Sequence, residues 1–137
     1  MRALALAMGV LAGCGTAAAA DLTVKLGGIK SAEGEVYVQL FSAADAAAFP
    51  DGPPSQEQRV PADTAGVSAT FTGLAAGDYA VGAFHDTNGN GKLDANFMGM
   101  PTEDVGNSGE KALAKPGFEK SKLSLGDAAT EISITLR

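Results

Sequence analysis

The 137-residue chain has no tryptophan, a single cysteine (Cys14) and a single histidine (His85), and its rings are six Phe and two Tyr. One Cys excludes a disulfide framework, and one Cys with one His excludes a zinc cluster. With so few rings, a core must rest mainly on Val, Leu, Ile and Ala. Basic residues are outnumbered, 10 Lys plus Arg against 16 Asp plus Glu, for a net charge of −6. Loss of a leader holding Arg2 would make it −7. An acidic chain argues against nucleic acid and anionic lipid surfaces as partners. What remains is 45% hydrophobic, 19% charged and rich in Gly (18 residues), the balance of one globular domain rather than a disordered chain.

The first twenty residues read as a secretory leader. Arg2 is their only charge, Ala3 to Ala12 is apolar but too short to span a bilayer, and small residues follow. Two processing points compete. Ala18-Ala19-Ala20 before Asp21 suits ordinary signal peptidase, whereas Leu11-Ala12-Gly13-Cys14 resembles the bacterial lipobox, in which Cys14 would be acylated and become the first residue. On either reading the domain spans residues 21–137, leaves the cytoplasm for the periplasm, an outer-membrane lipid anchor or the medium, and keeps no free thiol for chemistry.

From Asp21 onward the periodicity is two. Leu22, Val24 and Leu26 alternate with polar residues until Gly27-Gly28, and Gly34 to Phe41 places Val36, Val38 and Leu40 on one face. Ser42 is placed to cap a short helix over the Ala-rich stretch to Ala48, stopped by Pro50, and no other helix is expected. Residues 50–65, with four Pro and an Asp-Gly, predict a surface loop. Strands are expected at Val67 to Phe71, Tyr79 to His85, Phe118 to Leu125 and Ile132 to Leu136, the second so apolar that both its faces should be covered. The sum is an all-β fold: a single antiparallel β-sandwich, Ig-like, of about seven strands with one short helix.

The phrase Gly73-Leu74-Ala75-Ala76-Gly77-Asp78-Tyr79-Ala80-Val81 resembles the strand-turn-strand of transthyretin-like and carboxypeptidase-regulatory-like sandwiches. With His85-Asp86-Thr87-Asn88-Gly89-Asn90-Gly91-Lys92-Leu93-Asp94 and Gly99-Met100-Pro101-Thr102-Glu103, it is similar to the bacterial domain of unknown function 2141 family. The resemblance runs from Leu22 to Leu136 and implies a small exported sandwich, with no activity attached. Where that family carries an aromatic-rich stretch, this chain has Asp104-Val105-Gly106-Asn107-Ser108, without a ring.

One segment carries chemistry. Calcium takes six to eight hard oxygens, and Asp86, Asn88, Asn90, the carbonyl of Lys92 and Asp94 fall at positions one, three, five, seven and nine of a loop with Gly91 at six. Position twelve is Phe97 rather than Glu, so the segment is not an EF-hand, and Glu103 or Asp104 would have to close the shell. The competing reading makes Asn88-Gly89 and Asn90-Gly91 turn formers, with Asp86 and Asp94 bonded to backbone amides.

No catalytic set is apparent. His85 ends a central strand, where packing against a loop carbonyl is the usual role, and Ser108 or Ser121 would have to serve a triad without a Gly-x-Ser-x-Gly elbow. Glu103 and Asp104 are adjacent on an extended chain and point apart, which does not suit a glycosidase pair. The expectation is therefore a monomeric, non-enzymatic cell-envelope module binding calcium, a protein or a glycan, with the membrane touched only through Cys14. A small-ligand binder or hydrolase using His85 and its acidic neighbours is the alternative.

Overall fold

The computed structural model of the chain describes residues 19–50, 52–89, 103–109 and 117–137. Strand β1 (Ala19–Gly27) buries Ala20, Leu22, Val24 and Leu26 and turns the residues between them outward, the alternation that a half-buried strand requires. β2 (Glu35–Ser42) leads into a short 3-10 helix over Ala43–Ala48. β3 (Gln56–Pro61), β4 (Val67–Ala75), β5 (Gly77–Asp86) and β6 (Val105–Asn107) follow. A single helical turn, α1 (Phe118–Ser121), then precedes β7 (Leu123–Leu125) and β8 (Thr130–Thr135).

These strands make two sheets, one ordered β4-β1-β8 and the other β3-β2-β5-β6, with β7 beside β6 on the same edge of β5. Leu22, Val24, Val36, Val38, Leu40 and Val81 are fully buried between them. Each contributes about 1.5–3 kcal/mol by leaving water. The outer face of the larger sheet carries a second cluster, in which Phe41 meets Phe49 edge-on at 5.1 Å and Phe49 meets Phe118 at 6.4 Å. β5 is thus covered on both faces, and Tyr79 to Asp86 are all buried, as its apolar sequence predicts.

The architecture is the expected sandwich, with four differences in detail. The pair β1–β8 is parallel, from Leu22 opposite Thr130 to Gly27 opposite Thr135. β7 finishes with Leu125 opposite Gly77, at the end where β1 begins, so the short turn after it delivers β8 alongside β1 in the same direction. Second, Gln56–Pro61 is a strand rather than loop. It is a polar edge, needing no apolar face of its own, and it pairs with β2 from Glu35–Pro61 to Leu40–Gln56 while Gln39 donates to Glu57 at 2.8 Å. Third, Phe118–Ser121 is helical and only Leu123–Leu125 is strand, because the turn carries the Phe118 ring onto Phe49. Fourth, Ala43–Ala48 is helical but Ser42 does not cap it with its side chain; the Ser42 amide instead donates to Ser55 Oγ at 3.0 Å.

The register fixes two ends. At one lie Ala19, the β4–β5 turn and the start of β8; at the other lie Gly27, Glu35, Pro61, Val67, Asp86 and Thr135. No described helix is long and apolar enough to cross a membrane.

Candidate functional site

The loop singled out in the sequence leaves the second end. Its root is built by the last two residues of β5, held in register opposite β2: His85 faces Val36 and Asp86 faces Glu35. Alternation sends His85 inward, the same way as Val81 and Ala83, and leaves it 2% exposed. Its Nε2 lies 2.6 Å from the carbonyl oxygen of Glu33, and since a carbonyl only accepts, that nitrogen carries the hydrogen. The His85 amide donates to the Asp104 carbonyl at 3.0 Å. The ring is therefore packed and oriented at the root of the loop, between the Glu33 and Asp104 backbones.

Glu33 can approach because Gly34 turns the chain at φ +71°, a conformation that costs other residues. A side chain at position 34 would also overlap the carbonyl of Asp86. Beyond His85, two carboxylates flank Thr87. Asp86 is 1% exposed and Glu103 8%. Glu103 Oε2 accepts from the Thr87 amide at 3.0 Å and lies 3.4 Å from its hydroxyl. Asp104 points elsewhere, to Lys30 Nζ at 3.1 Å, a half-exposed pair worth little. The two adjacent acids thus diverge, as an extended chain dictates. Asn88 is exposed beside them, while Asn90, Lys92 and Asp94 lie outside the described residues. Among the described residues, no three of His, Cys, Asp and Glu gather as a metal cluster.

On the outer face, Arg59, Tyr37 and Phe84 form a cross-strand ladder. The guanidinium of Arg59 stands 4.8 Å from the Tyr37 ring centre, and the Tyr37 and Phe84 rings stack at 4.8 Å. Burial pushes the Tyr37 hydroxyl above its ordinary pKa; Asp86, Glu35 and Glu57 add to that and Arg59 opposes it.

Ser108 and Ser121, the only serines considered for a triad, sit together but serve the backbone. Val81 falls in the gap between β6 and β7, where β5 would lose a rung. Ser108 fills it: the Val81 amide donates to Ser108 Oγ at 2.8 Å, the Ser108 amide donates to the Val81 carbonyl at 2.8 Å, and Ser108 Oγ donates to the Ser121 carbonyl at 2.6 Å. Asn107 Nδ2 adds bonds to the Ser108 carbonyl at 2.7 Å and to Ser121 Oγ at 3.0 Å. Sequence reading missed this splice, for which an isolated Ser gives no signal. At Gly106 a Cβ would come within 2.5 Å of Ile134 Cγ2, so the ring-free stretch after Glu103 passes close against β8. The polar side chains of an open groove of about 470 Å³ elsewhere, along Lys25, Ser68 and Ser133, are only hydroxyls and a Lys25 ammonium already 3.5 Å from Glu131.

No curated protein and no solved structure matches the chain. A family model does: the one described as an uncharacterized protein conserved in bacteria, DUF2141, over residues 24–133, which takes in both sheets and the whole root of the loop. The chain belongs to the DUF2141 family.

Proposed function

We propose that the protein is a non-catalytic, exported module of the cell envelope whose Asp86–Glu103 loop is organised by calcium and presents a binding surface for a protein or glycan. The observation that carries this reading is the pair of buried carboxylates, Asp86 and Glu103, on either side of Thr87. Two carboxylates brought to the root of one loop suit a hard divalent cation, which takes several such oxygens at once. Between them the sequence supplies hard oxygen donors of the kind calcium takes: Asn88, Asn90, the Lys92 carbonyl and Asp94. With few charges in the set, affinity falls in the weak extracellular range, about 10⁻⁴ to 10⁻³ M. The buried, carbonyl-bonded His85 supports a positioning role at the root of the loop rather than proton transfer. The acidic surface and the leader support export, with the anchor, if acylated, at Cys14.

Calorimetric titration of the full chain with calcium tests the reading. Binding with a millimolar or tighter Kd, abolished in Asp94→Ala and weakened in Asp86→Asn, is expected. No heat from a protein whose circular dichroism shows it folded would overturn the calcium role and return the loop to a turn held by backbone bonds.

A further inference from the structure

We propose that the leader is removed upstream of Ala19, so that Ala19 and Ala20 stay on the mature protein as the first two residues of β1. The proposal rests on the export reading above. Ala20 is 5% exposed, and its methyl belongs to the core between the sheets. It pairs with Leu74, itself 4% exposed, and Ala19 pairs with Ala75. The register slips between Ala20 and Leu22, which sets Asp21 at a bulge where its carboxylate accepts from the Gly73 amide at 3.1 Å. The two alanines are therefore the rungs beyond the bulge. They close the last turn of β4, whose Ala75 carbonyl also receives the Tyr79 hydroxyl at 2.7 Å.

A cut between Ala20 and Asp21 would take away both rungs, open the flank of Leu74, and place an ammonium in the bulge beside the core. The Ala20 methyl, which stabilises by leaving water, would be lost with them. Of the two junctions in the leader, only the one before Cys14 spares both alanines. The geometry of the ends then has a consequence for presentation. Anything attached at residue 14 is at most about 18 Å of extended chain from Ala19. It would hold the β4–β5 end of the sandwich near the attachment, while the Asp86–Glu103 loop leaves the opposite end. The length of β1 separates the two by about 26 Å.

The test is N-terminal peptide mapping by mass spectrometry of the full-length protein expressed in its native host and recovered from the envelope. A first residue at or before Ala19, seen as a peptide ending at Lys25 that contains both alanines, is the expected result. A mature chain beginning at Asp21 overturns the proposal and leaves export standing. An intact Met1 in the cytoplasmic fraction overturns the export reading itself.

Discussion

Replacing Ser108 with Ala removes one oxygen and changes almost no volume, yet the structure assigns that oxygen two buried partners. Ser108 Oγ accepts from the Val81 amide at 2.8 Å and donates to the Ser121 carbonyl at 2.6 Å, in a residue 5% exposed. Without it, one donor and one acceptor lose their partner away from bulk water, at about 1–3 kcal/mol for each such group. The sum is about 2–4 kcal/mol, since a water can recover part of the loss. For a domain of this size each kcal/mol moves Tm by about 4 °C, so a fall of about 8–16 °C is expected. Calorimetric melting of Ser108→Ala beside Ser124→Ala isolates the effect. Ser124 bonds through its hydroxyl to exposed Asp78 at 2.9 Å, and its loss should stay within about 0.5 kcal/mol. If Ser108→Ala melts with the wild type, the splice does not hold β5 and the reasoning fails.

Two other perturbations separate local causes. Gly34→Ala must meet both a positive φ and the Asp86 carbonyl, and should cost about 3 kcal/mol or more in urea unfolding, whereas Gly73→Ala, at φ +66° with nothing within 4 Å of its Cβ, should cost only about 1 kcal/mol; equal losses would refute the overlap. Tyr37 binds its proton more tightly in the folded state than the ordinary value of 10.0, so stability that is complete below about pH 10 drains away as pH rises toward the higher folded value. Tyr37→Phe should therefore flatten the decline in Tm between about pH 9 and pH 11, and an unchanged slope would contradict the burial that raises it.

What the sequence made legible followed from period two. β1, β2 and β5 announce themselves because their apolar residues alternate or run unbroken, and the sandwich class follows from them. β3 was hidden because an edge strand faces water and can be written in Gln, Glu and Arg, which read as loop. The helical turn at Phe118 was hidden for a different reason: its one apolar ring is placed by Phe49, nearly seventy positions earlier, so no local pattern specifies it. The parallel run of β8 depends on where β7 ends, which is a property of the pairing and not of the residues in either strand. In the site, the spacing of Asp86, Asn88, Asn90, Lys92 and Asp94 points to the loop, and the position of His85 at the end of an apolar strand points to its burial. The carbonyl it meets, Glu33, is fifty-two residues away and brought close by the β2–β5 register.

Thermal melting of the full chain in calcium and in chelator asks most directly whether the buried pair Asp86 and Glu103 marks a cation-organised loop. A ligand that binds only the folded state at ten times its Kd adds about 1.4 kcal/mol. That corresponds to a rise in Tm of about 5 °C with millimolar calcium, smaller with magnesium, which demands a strict octahedral shell and dehydrates reluctantly, and absent in Asp94→Ala. A melting temperature indifferent to calcium, magnesium and chelator alike would contradict the account.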